Sequence, residues 1–76
     1  MNINIFGSTG IIGCKSLQVI NDYFPSIKVN LLCANKNYKL LLIQANKFKP
    51  NYIYLNDEKN LKNLKNKLNK KTKLLN

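Results

Sequence analysis

The chain has 76 residues, 13 of them lysine and none arginine, with only three acids (Asp22, Asp57 and Glu58) and a formal charge of +10. A chain this short holds at most one domain, is only marginally able to build a core, and cannot contain a complete oxidoreductase. Its two cysteines, Cys14 and Cys33, lie in apolar runs without C-x-x-C spacing and there is no histidine, which argues against a zinc site and a disulfide scaffold.

The first predicted element is a short strand, "NINIF" (2–6), which alternates polar and apolar side chains and ends at Gly7. "IIGCKSLQVINDYF" (11–24) follows as a helix, with Ile12, Leu17, Val19, Ile20 and Phe24 on one face and Pro25 as its stop. "IKVNLLCA" (27–34) has the length and apolarity of a buried strand, and the run from Ala34 to Asn37 is rich in turn formers. "YKLLLIQANKF" (38–48) repeats apolar residues at Leu41, Leu42, Ala45 and Phe48 and closes at Pro50. "NYIYL" (51–55) reads as a third strand. Asn56 or Asp57 could cap a last helix through Leu68, with Leu61, Leu64 and Leu68 as its stripe.

This β-α-β-α-β-α order predicts an α/β fold: the first half of a Rossmann-like, doubly wound parallel sheet, strand order 3-2-1. The expected strands lie at about residues 2–6, 28–33 and 52–55, with Ile3, Ile5, Val29, Leu31, Ile53 and Leu55 packed against the helices. The outer edge of the first strand, which a fourth strand would normally cover, is expected to be open.

Between the first strand and the first helix stands "GSTGIIG" (7–13), three glycines three residues apart. At this place in the fold one glycine lets the chain turn sharply out of the strand, another lets backbone approach a pyrophosphate, and Gly13 lets the helix pack closely. The unpaired N–H groups at the helix start would face the negative charge. A tight turn with no ligand has the same spacing.

Which dinucleotide would bind is written at the end of the second strand. A site for NAD carries an acid about 20 residues beyond the glycines to hold the ribose 2′-hydroxyl. Here the region reads "LLCANKN" (31–37), with no acid and with Lys36 available to meet a 2′-phosphate, so NADP is favoured. Lys36 as one solvated lysine among 13 is the alternative.

The charge of +10 also raises nucleic acid as a partner, through Lys59, Lys62, Lys65, Lys67, Lys70, Lys71 and Lys73. These lysines surround most of a helix without interleaved aromatic residues. With 14 asparagines beside them, they read better as a solvated basic surface than as a nucleic-acid site. No charged leader followed by a long apolar run opens the chain, and no run of about 18 apolar residues occurs. A cytoplasmic protein without membrane contact is expected.

The ordered set "INIFGSTGIIGCKSLQVI", "ANKN" and "QANKFKPNYIYLNDE" resembles the N-terminal part of the 1-deoxy-D-xylulose 5-phosphate reductoisomerase family, from about Asn2 to at least Glu58. The resemblance implies an NADPH-dependent oxidoreductase of the non-mevalonate route to isoprenoids, converting 1-deoxy-D-xylulose 5-phosphate to 2-C-methyl-D-erythritol 4-phosphate. It implies cofactor contacts at Thr9, Gly10, Ile11 and Ile12 and at Asn35, Lys36 and Asn37, with Gly7 and Ser8 shaping the loop; Gly13 is counted with the cofactor loop. Two residues depart from the family pattern. Ile11 replaces a usual serine, losing a hydroxyl but keeping the N–H, and Asn35 replaces a usual glycine, asparagine being tolerant of left-handed backbone.

The family also uses Mg²⁺ or Mn²⁺, a substrate-phosphate site, a lid and a helical C-terminal domain, and it forms homodimers. The metal ligands, substrate-phosphate site, lid and C-terminal domain are not expected in this chain, so no catalytic residue or metal ligand is nominated. Residues 1–76 are expected to be a partial NADPH-binding domain from a truncated, split or decaying gene, inactive alone, whose partner would be the rest of the enzyme if supplied separately. A fragment of another NADP-dependent reductase shares the glycine loop but not the K-N turn and the F-x-P-x-Y segment.

Overall fold

A computed structural model describes residues 1–76. The strands are β1 (Asn2–Phe6), β2 (Lys28–Ala34), β3 (Tyr52–Leu55) and β4 (Lys73–Leu74). The helices are α1 (Ile11–Tyr23), α2 (Tyr38–Phe48) and α3 (Leu61–Lys67), the last preceded by a 3₁₀ turn over Glu58–Asn60. All strand pairs are parallel and the order is β1-β2-β3-β4. The three expected strands and their 3-2-1 order are present.

One buried cluster joins Leu17 and Ile20 of α1, Leu41 and Ala45 of α2, and Leu64 of α3 to Val29, Leu32, Ala34, Ile53 and Leu55 of the sheet. All three helices therefore cover the same sheet face. The opposite face is open and carries Phe6, Tyr52 and Tyr54, of which Phe6 is 74% exposed.

β2 departs from simple alternation. The register runs Ile3 to Val29 and then Asn4 to Leu31, so Asn30 is an extra residue in β2. Beyond it the inward set shifts by one: Leu32 and Ala34 are buried, whereas Leu31, expected in the core, is only half-buried. The bulged Asn30 donates from Nδ2 to Asn4 Oδ1 and accepts from Asn51 Nδ2, both at 2.9 Å. A side-chain ladder thus spans the position where backbone pairing is interrupted.

The helices also bury narrower stripes than their sequences suggested. In α1 only Gly13, Leu17 and Ile20 are buried; Ile12, Val19 and Phe24 are exposed, Ile12 at 80%. A 3.6-residue period that includes 13, 17 and 20 turns 12 and 19 away from the sheet. In α2, Leu41 and Ala45 are buried as expected, joined by Gln44. That helix ends at Lys49, the one non-glycine residue with positive φ (48°), whose N–H bonds Ala45 O at 2.8 Å before buried Pro50.

The last segment holds an element with no sequence forecast. Asp57 accepts from the Lys59 N–H at 3.1 Å and starts the 3₁₀ turn, α3 buries Leu64, and Leu68 terminates it. β4 then pairs beside β3, Tyr52 opposite Lys73 and Ile53 opposite Leu74. Thr72, buried, anchors it by donating to Pro50 O at 2.6 Å. The fourth strand so extends the β3 edge and leaves the outer edge of β1 open, because one short helix returns the chain only to the neighbouring position.

Candidate functional site

The glycine loop leaves the carboxyl end of β1 and enters α1 at Gly10. Gly7 has φ +71°, a conformation that L side chains rarely adopt, and its carbonyl accepts from the Gly10 N–H at 3.0 Å. Gly10 is the N-cap of α1 and provides no side-chain cap, and the first turn has no acid. The N–H groups of Thr9, Ile11 and Ile12 meet no acceptor within the chain. Thr9 is half-buried, while Gly10, Ile11 and Ile12 are exposed. Free donors and the positive end of a 13-residue helix are thus presented to solvent, an arrangement suited to an anion.

Ser8 is the loop's fixed point. It is wholly buried, so its side chain shapes the loop and does not face solvent. Its N–H bonds Cys33 O at the end of β2 at 2.9 Å, and its carbonyl accepts Gln44 Nε2 at 2.8 Å, with Cys14 Sγ at 3.6 Å. Gly13 packs beneath it: a Cβ there would stand 2.7 Å from Ser8 Cα and closer still to Gly7 O. The third glycine therefore makes room for the loop itself more than for the sheet. Burial pushes the Cys33 thiol above its usual range, and both cysteines are free.

The second predicted contact region, Asn35 to Asn37, lies at the carboxyl end of the adjacent strand and is exposed. Asn37 caps α2, its Oδ1 accepting from the Leu40 N–H at 3.2 Å. Asn35 does not take the left-handed backbone that its tolerance suggested; instead its Oδ1 accepts Asn56 Nδ2 at 3.0 Å and its carbonyl accepts the Asp57 N–H at 2.8 Å. The asparagine so ties the turn to the segment after β3. Lys36 is exposed and accepts at its carbonyl the Tyr38 N–H at 2.8 Å. No acid stands in the turn.

A groove of about 610 Å³ runs beside the loop, lined by Gly7, Gly10, Ile11, Ile12 and Gly13 together with Asn4, Ile5, Phe6 and Ser16. It includes most of the loop residues but not the turn at 35–37. Phe6 and Ser16 were not forecast from sequence, and neither was Gln44. Gln44 had a legible signal, a polar side chain inside the apolar stripe of α2. Phe6 and Ser16 had none. Asp22, Asp57 and Glu58 do not converge: no three His, Cys, Asp or Glu side chains come together as a metal site. No helix is long and apolar enough to cross a membrane.

A parallel β-α-β-α-β sheet whose glycine loop sits at the carboxyl end of β1, beside an acid-free turn after β2, defines the first half of a Rossmann-like protein. Residues 3–76 match the family model of 1-deoxy-D-xylulose 5-phosphate reductoisomerase, and the chain belongs to that family. A relative of that name from Sulfurihydrogenibium sp. (strain YO3AOP1) is 44% identical over 55 residues, which cover 72% of this chain and 15% of the relative. One from Buchnera aphidicola subsp. Acyrthosiphon pisum (strain Tuc7) is 42% identical over 57 residues, covering 75% and 14%. Among solved structures, the reductoisomerase from Zymomonas mobilis in complex with NADPH superposes with a TM-score of 0.88 at 26% identity, covering 96% of this chain and 20% of that one. A reductoisomerase complex with NADPH, fosmidomycin and magnesium gives 0.85 at 26%, covering 99% and 19%. The chain thus spans no more than a fifth of the length of these relatives and structures.

Proposed function

We propose that residues 1–76 are the N-terminal NADPH-binding part of a 1-deoxy-D-xylulose 5-phosphate reductoisomerase. In this reading the pyrophosphate lies against the free N–H groups of Thr9, Ile11 and Ile12, and the 2′-phosphate meets Asn35, Lys36 and Asn37. The observation that carries it is the uncapped, acid-free start of α1 held open by Gly7 at φ +71°. Support comes also from the two family structures that contain NADPH. Ile11 keeps the N–H that an anion needs but has no hydroxyl, so phosphate is held there by backbone alone.

The reduction and isomerisation of 1-deoxy-D-xylulose 5-phosphate belong, in this reading, to the cytoplasmic enzyme as a whole. The three acids here do not form a metal-ligand set, so in this reading the divalent metal is held by other residues of the enzyme. The basic face of α3 is solvated surface in this account.

Titrating the ¹⁵N-labelled chain with NADPH tests the proposal. The amides of Thr9 to Ile12 and of Asn35 to Asn37 should shift together with one saturation curve. Shifts absent from both segments, or confined to the lysines after Glu58, would overturn it.

A further inference from the structure

A buried polar contact joins α2 to the glycine loop. Gln44 is 94% buried in the core-facing side of α2, with a relative exposure of 6%, between Leu41 and Ala45. Its Nε2 crosses to Ser8 O at 2.8 Å and lies 3.7 Å from Cys14 Sγ, while its Oε1 has no partner. A buried amide with one end unsatisfied costs stability, and an apolar side chain of the same length would avoid that cost. The contact is specific: Gln44 Nε2 donates to the Ser8 carbonyl, which Cys14 Sγ also approaches at 3.6 Å.

We infer that Gln44 is a positioning residue that locks the phosphate-facing loop to the same helix that carries the 2′-phosphate turn. Asn37 is the N-cap of α2, and Gln44 lies seven residues further on, about 10 Å along the axis. One rigid helix thus holds Ser8 O at one point and the Asn35 to Asn37 turn at its start. The Ser8 N–H to Cys33 O bond adds a second tether to the strand that leads into that turn. With Ser8 pinned from both sides, the N–H groups of Thr9, Ile11 and Ile12 are set in place before a ligand arrives, and the entropy of ordering the loop is not charged to binding. This deepens the NADPH reading and rests on it only for the ligand arm of the test.

The variants are Gln44→Met, which keeps length and burial but has no donor, and Gln44→Leu, as a second apolar replacement should the first not fold. Amide hydrogen exchange without ligand is read at Ser8 and Gly10, against Ile53 and Asn56 as references in and after β3. Exchange at Ser8 and Gly10 should rise about tenfold, the loss of one hydrogen bond's worth of local stability, with the references unchanged. In the ligand arm, NADPH should bind about tenfold more weakly to Gln44→Met, whereas adenosine 2′-phosphate, which reaches only the turn, should bind as it does to the parent chain. Unchanged exchange at Ser8 and Gly10 would overturn the inference, as would exchange rising equally at all four amides or both ligands weakening in parallel. If the parent chain binds neither ligand, the NADPH reading fails, and the exchange arm still decides the role of Gln44.

Discussion

Gly13 lies so tightly beneath Ser8 that a Cβ on it would stand 2.7 Å from the Ser8 Cα and 2.8 Å from its carbonyl carbon. The atoms it would strike belong to backbone, so no rotamer change relieves the overlap. Gly13→Ala should destabilise the chain by about 1–3 kcal/mol, the usual cost of overpacking, even though alanine gains about 1 kcal/mol of helix propensity. Gly10→Ala, whose Cβ would meet Gly7 O at 3.3 Å, should cost far less. Urea unfolding of the two variants gives the comparison, and an equal loss in both would show that loop packing at Gly13 is not special.

The open edge of β1 and the uncovered face bearing Phe6, Tyr52 and Tyr54 predict self-association. A charge of +10 opposes it by repulsion, which salt screens. Sedimentation velocity should therefore show association growing with both protein concentration and ionic strength, and Phe6→Lys should reduce it. Association that weakens as salt is added would point to a charge-driven contact instead.

Cys33 should be a slow thiol. Burial favours its neutral form in the folded chain, while in the unfolded chain the thiol ionises at its ordinary value. This preference contributes stability at neutral pH, where the thiol is protonated in both states. The contribution is lost as pH rises from the unfolded value through the folded one, because the unfolded chain releases its proton first. Alkylation followed by mass spectrometry should find Cys33 reacting more slowly in the folded chain than in urea, with the gap closing at alkaline pH. Equal rates in both states would contradict its burial.

Much of this architecture was legible because local signals agreed. Strand, glycines and helix from Asn2 to Tyr23, and the turn ahead of α2, each had a residue type matched to its geometry. Leu31 was misplaced because a bulge at Asn30 shifts a period of two by one residue, and nothing in "KVNLLCA" marks which residue bulges. Ile12 and Val19 share the apolar run with Leu17 and Ile20 but lie on the side of α1 that the sheet does not reach, because apolarity alone does not say which flank of a helix is covered. β4 has two residues, too few for any alternation to register, and its place depends on Thr72 reaching Pro50 O. Gln44 stood in plain sight as a polar interruption, but only the fold shows that its partner is a loop carbonyl 36 residues away.

The most direct test of the cofactor assignment is the preference between NADPH and NADH, read by fluorescence titration of this chain and of Lys36→Glu. The turn after β2 has no acid, and Lys36 is exposed at its centre, so a 2′-phosphate should be attracted there. NADPH should bind more tightly than NADH, and Lys36→Glu, a charge reversal beside that phosphate, should abolish or invert the preference. The change is worth about 1–3 kcal/mol at a partly exposed site, roughly 5- to 150-fold in affinity. Equal affinity for the two cofactors in the parent chain, with no change on substitution, would contradict the account.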